Sequence, residues 1–170
     1  MLIELKNLKH AAFASEETLC FSATVYIDGK KAGEASNDGR GGCNRYHPWS
    51  LQGILDEHAK TLPPEVTKLP DLDNPSKAFT FQPDADSVIT NLVSDMLAAK
   101  DLRRAMSSKI LLATPDGKEI RQTKSIGKER LAELLALPDV ATHLRCPGAR
   151  VLNLLSFEEA LALYLAAGTR

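Results

Sequence analysis

Leu19-Cys20-Phe21-Ser22-Ala23-Thr24-Val25-Tyr26-Ile27-Asp28-Gly29-Lys30 is the stretch from which the fold is read. Leu19, Phe21, Ala23, Val25 and Ile27 alternate with Cys20, Ser22, Thr24 and Tyr26, which is the period-two pattern of a strand with one buried face. Asp28-Gly29 tolerates the positive φ angles of a two-residue type I′ turn, so residues 30–36 are expected to return antiparallel. Tyr26 then faces Lys31 and Thr24 faces Gly33, small and polar pairs suited to a face outside the deep core.

Outward from this ribbon, residues 2–8 read as a short first strand. A second hairpin is expected over 110–114 and 119–123, turned by Pro115-Asp116-Gly117-Lys118. Ser50 is a candidate N-cap for a helix whose apolar stripe is Leu51, Ile54, Leu55, His58 and Leu62. Asp84 opens a longer helix with Val88, Ile89, Leu92, Val93, Met96 and Leu97 on one face. Lys100, Arg103 and Arg104 near its end oppose the negative pole of the helix dipole, which explains them without a ligand. Residues 128–137 form a short helix and 151–155 a strand. Ser156-Phe157-Glu158-Glu159 is a capping box opening a nearly all-apolar, buried helix that stops at Gly168. Between 61 and 84 lie Pro63, Pro64, Pro70, Pro75 and Pro83, five of the nine prolines, so this segment is an extended connection that Phe79 and Phe81 pin down as an edge strand. The expected architecture is one α+β domain over 1–170, an antiparallel sheet from the two hairpins with helices on one face. Sub-lobes 1–62 and 84–170 are joined by the connection 63–83.

The chain has 170 residues and is 44% hydrophobic, enough to fill a core, with a net charge of −1 that draws it neither to phosphates nor to anionic membranes. Its first residues alternate polar and apolar without the apolar run of a signal peptide, and no later run reaches bilayer-spanning length, so the expectation is a cytoplasmic protein. Cys20, Cys43 and Cys146 are an odd number, which favours reduced thiols or metal ligands over a disulfide framework.

Chemistry concentrates in Asn37-Asp38-Gly39-Arg40-Gly41-Gly42-Cys43-Asn44-Arg45-Tyr46-His47. Its glycines permit close backbone approach, but the spacing is neither that of a dinucleotide fingerprint nor that of a P-loop. Arg40, Arg45, Tyr46, His47 and Trp49 set cations beside aromatics, a mix that holds phosphates, stacks bases and is enriched at protein interfaces. Near-neutral net charge and the lack of a second basic stripe put protein ahead of nucleic acid as the partner. Asn37, Asp38, Arg40, Asn44, Arg45, Tyr46 and Trp49 are therefore the expected partner-binding residues, within a loop spanning 37–49.

Two alternatives attach to Cys43. With His47 it forms half of a zinc site that His143 and Cys146 could complete, since thiolate and imidazole are zinc's preferred donors, although these spacings miss the usual zinc-finger pattern. As a nucleophile, Cys43 would use His47 or His58 as base, with Arg40 and Arg45 favouring the thiolate. No orienting third residue is recognisable, so the zinc-stabilised domain and the thiol enzyme both stand behind a non-enzymatic binding role without a cofactor.

Ser15-Glu16-Glu17-Thr18, Phe21 through Lys30, and Ser36-Asn37-Asp38-Gly39-Arg40-Gly41-Gly42-Cys43-Asn44 resemble small uncharacterised proteins of bacteriophages and prophages. The likeness covers about the first fifty residues and transfers no catalytic residue. It implies a phage or mobile-element setting, in which proteins of this size act by binding a host protein in the host cytoplasm.

Overall fold

The structure is a computed structural model that describes residues 1–70, 74 and 77–168; Pro75 of the connection lies outside these. The chain separates into two compact units, Met1–Val93 and Ser94–Arg170.

The first unit is built on a four-stranded antiparallel sheet in the order β1 (Ile3–His10), β2 (Cys20–Ile27), β3 (Lys30–Asp38), β4 (Arg45–His47). The expected hairpin is β2–β3, turned at Asp28 (φ 48°) and Gly29 (φ 78°). Alternation is obeyed: Phe21, Ala23 and Val25 are buried on one face together with Leu5, Ala35 and Tyr46. The register differs in one place. Tyr26 pairs with Lys31 as expected, but Thr24 pairs with Glu34 because a bulge between Val25 and Tyr26 leaves Ala32 as an extra residue on β3. β1 carries its own irregularity between Lys6 and Lys9, where Asn7 adopts φ 54°.

After β4 the chain enters α1 (Ser50–Ala59), and Leu51, Leu55 and Ala59 are buried at helical spacing. Trp49, not Ser50, occupies the N-cap position, and no side chain caps this end. The proline-rich segment forms an antiparallel ribbon of β5 (Glu65–Pro70) and β6 (Ala78–Phe81), with the Phe79 and Phe81 rings stacked at 6.3 Å. Asp84 accepts the Ser87 backbone N–H at 2.8 Å and so caps α2 (Ala85–Met106). Ala85, Val88, Ile89 and Val93 of α2 complete the buried set of this unit. Complete burial of a side chain such as Leu55 or Ile89 contributes about 1.5–3 kcal/mol each. Met96, expected in the stripe, is exposed, while Ala98 and Leu102 are buried.

The second unit contains the rest of α2 and a three-stranded antiparallel sheet ordered β8 (Ile120–Gln122), β7 (Leu111–Ala113), β9 (Arg150–Val151). It also holds α3 (Lys128–Leu135), α4 (Val140–His143) and α5 (Phe157–Ala166). The fold is α+β with antiparallel sheets, as expected. The two hairpins, expected to share a sheet, seed separate ones, because β1 and β4 flank the first hairpin while β9 pairs on β7. The strand expected over 151–155 is cut to Arg150–Val151 and followed by a 3₁₀ turn at Leu152–Leu154. The capping box of α5 forms, with Ser156 and Glu159 exchanging side-chain and backbone bonds. Only Ala160 of α5 is fully buried, whereas Phe157, Leu161, Leu163 and Tyr164 pack partly against Leu102, Leu111, Ala113 and Leu152. A helix that is nearly all apolar beyond its first turn has placed just one seam in the core.

Candidate functional site

The glycine-rich segment is a hairpin rather than an open loop. β3 continues to Asp38, and β4 returns beside it with Ser36 opposite Arg45, Ala35 opposite Tyr46 and Glu34 opposite His47. Alternation along this three-residue strand sends Arg45 and His47 to solvent and Tyr46 into the core. The connection that remains, residues 39–44, is held from beneath by two buried asparagines, Asn37 and Asn44.

Asn37 uses its whole amide. Its Oδ1 accepts from Thr18 Oγ1 at 2.7 Å and from the Gly39 N–H at 2.9 Å, and its Nδ2 donates to the Gly42 carbonyl and to Asn44 Oδ1, both at 3.1 Å. Asn44 passes the network to α2. Its backbone N–H donates to Asp86 Oδ2 at 3.0 Å, and its Nδ2 reaches Thr90 Oγ1 at 3.3 Å. Tyr46 donates its hydroxyl to the other carboxylate oxygen of Asp86 at 2.7 Å. Buried amides whose nitrogen and oxygen both have partners specify one backbone path, since any alternative would strand a polar group in the interior.

A second clamp comes from the preceding turn. The Gly39 carbonyl accepts from the backbone N–H groups of Glu16, Glu17 and Thr18 at 2.9, 2.9 and 3.3 Å. A side chain at position 39 would collide with the Ala14 carbonyl, and the residue sits at φ +84°, so glycine is required there. This turn carries Phe13, 94% exposed, beside the connection. At the far end of β4, Gly33 lets the backbone of His47 and the ring of Pro48 approach closely. Trp49 follows with 76% of its surface in solvent.

Electrostatics follow from these contacts. The Arg40 backbone N–H, and then the Arg45 guanidinium 2.6 Å away, hold the Asp38 carboxyl below its ordinary value. The hydrogen bond from Cys43 to Asp86, with the negative charge of that carboxylate and of Asp84, raises the Cys43 thiol. Burial and the bond to Asp86 push the Tyr46 phenol far up. A raised thiol is the reverse of what an activated cysteine nucleophile needs, and Arg45 is engaged with Asp38.

Of the expected binding residues, Asp38, Arg40, Arg45 and Trp49 lie at the surface, while Asn37, Asn44 and Tyr46 are buried as the scaffold beneath it. Cys43 and His47 are exposed in the first unit. His143 ends α4 in the second unit, and Cys146 there packs partly against the cluster of Ile110, Leu112 and Val140, with Arg121 Nη1 3.8 Å from its sulfur. Among the described residues no group of three or more His, Cys, Asp or Glu side chains is placed to hold a metal ion. The residues that sequence reasoning missed are Thr18, Asp86 and Thr90. Asp86 was visible only as an acid in the first turn of a helix, where acids are common. No protein-family model, no curated protein and no solved structure matches this chain.

Proposed function

We propose that the protein is a non-enzymatic binding protein whose contact surface is the rim of the residue 37–49 hairpin, and that its partner is a protein. The observation that carries this reading is the exposure of Trp49 just past β4, the strand that the Asn44 and Tyr46 bonds to Asp86 fasten to α2. A large aromatic side chain on a rigid base loses little conformational freedom on docking, which is the property of interface hot spots. Arg40, Arg45 and His47 add exposed cationic and hydrogen-bonding groups along the same hairpin, and Phe13 adds a second exposed ring beside the glycine connection. The likeness of the first fifty residues to phage-borne proteins makes a bacterial host protein the partner class. A net charge of −1 supports protein over nucleic acid. No helix among the described residues is long and apolar enough to cross a membrane.

The test is retention of a bacterial lysate protein by the immobilised chain at two salt concentrations, compared with Arg40→Ala/Trp49→Ala. The wild type is expected to retain a discrete protein at both salts and the double variant to lose it with an unchanged circular dichroism spectrum. Equal retention by both, or nuclease-sensitive capture, would overturn the reading. Both substitutions are at exposed positions, so the scaffold beneath stays intact.

A further inference from the structure

The polar face of the four-stranded sheet carries an arrangement that shares only Arg45 and His47 with the rim. Pairing registers align side chains into cross-strand rows, because partners on adjacent antiparallel strands project to the same side. One row runs Lys9, Ser22, Ser36, Arg45 across all four strands: Lys9 pairs with Ser22, Ser22 with Ser36, and Ser36 with Arg45. It sets two hydroxyls between two cations. Two residues along, a second row runs Thr24, Glu34, His47. The two rows border a half-open depression of about 360 Å³, floored by the strand segments at Ala23, Ala35 and Tyr46. That volume is at the small end of the range for small-molecule sites.

Among the described residues the hydroxyls of Ser22, Thr24 and Ser36 have no hydrogen-bond partner, so their capacity is free for a ligand. Arg45 is oriented by its 2.6 Å ion pair with Asp38, and further guanidinium N–H groups remain available. Glu34 is 3.5 Å from Lys31 and keeps acceptor capacity toward the depression. The first row suits a compact oxyanion, which accepts from hydroxyls and cations together. The carboxylate of the second row repels an anion but accepts from hydroxyl groups. Rows two residues apart on a strand are separated by about 7 Å, which fixes the ligand's length.

From this we infer that the sheet face binds a small phosphorylated polyol of the sugar-phosphate class, its phosphate on Ser22, Ser36, Lys9 and Arg45 and its distal hydroxyls on Glu34 and Thr24. The site shares Arg45 and His47 with the proposed protein-binding rim, but its variants leave Arg40 and Trp49 untouched, so either reading can fail without the other.

The experiment is a titration of isotope-labelled full-length protein with ribose 5-phosphate, inorganic phosphate and ribose, read from backbone amide resonances. Ribose 5-phosphate is expected to shift Ser22, Ser36 and Arg45 saturably and to bind more tightly than either inorganic phosphate or ribose. Ser22→Ala/Ser36→Ala should weaken it about a hundredfold or more, the loss expected for two hydrogen bonds to a charged group. Glu34→Gln should reduce the preference for ribose 5-phosphate over inorganic phosphate. No saturable shift in these rows, equal binding of the three probes, or full affinity in the double-alanine variant with a native amide spectrum would each overturn the inference.

Discussion

Asp86 ties α2 to three residues of the candidate site, holding the Asn44 backbone, the Tyr46 hydroxyl and the Cys43 thiol. Removing it strands a buried hydroxyl and a backbone N–H. Asp86→Ala is therefore expected to cost about 2–4 kcal/mol in urea unfolding, whereas Tyr46→Phe, which leaves the ring in place, should cost about 1 kcal/mol. The same substitution tests the thiol. With Cys20 and Cys146 changed to serine, Cys43 should react with a disulfide reagent at pH 8 more slowly than a free thiol, and Asp86→Ala should speed it up. The sign follows from the cause: the carboxylate raises the thiol, so its loss increases the thiolate fraction. Glycines offer a paired comparison. Gly39→Ala combines positive φ with a collision against Ala14 and should lose about 2 kcal/mol or more. Gly29→Ala has positive φ in open space and should lose only about 1 kcal/mol in the same measurement. Little of this was legible beforehand. Asn37 and Asn44 read as polar loop residues because satisfaction by partners as far as 46 residues away leaves no local pattern.

Among elements, those with local causes were the readable ones. The β2–β3 turn needs only Asp28-Gly29, and the α5 start needs only Ser156 and Glu159, so both could be placed from neighbouring residues. Ser156→Ala should cost about 1 kcal/mol in thermal unfolding as the cap is lost. Leu102→Ala, in the buried seam of α2, should cost about 2–5 kcal/mol. Elements set by tertiary contacts were misread. β4 is three residues long and follows a glycine run, so its alternation of Arg45, Tyr46 and His47 passed for loop, although that alternation was the available signal. The bulge at Ala32 was invisible because a small residue beside glycine fits either face, and it shifted the Thr24 partner by one position. Sheet membership is likewise nonlocal, and nothing near Asp116-Gly117 reveals that β7 takes β9 as its second neighbour.

For the molecule as a whole, titration sets a stability plateau. Asp38, Asp116, Asp139 and Glu159 are held below their ordinary values, 3.8 for the aspartates and 4.5 for the glutamate, by hydrogen bonds to backbone and hydroxyl groups. Groups lowered in the folded state stabilise it above their unfolded values, and that contribution disappears as pH falls through the folded ones. Cys43 and Tyr46 are raised from 9.0 and 10.0, so their contributions are complete below those values and fade as pH climbs past them. Thermal midpoints should accordingly be flat from about pH 5 to 8 and fall on both sides; a midpoint that rises on acidification to pH 3 would contradict these assignments. The bulged margin of β1 has a consequence for life at high concentration. An extended foreign peptide seeking to align along that border meets Lys6, Lys9 and the left-handed kink at Asn7 instead of an even ladder of donors and acceptors. The four-stranded sheet thus presents a poor seed for cross-β polymer growth, even where many copies crowd together.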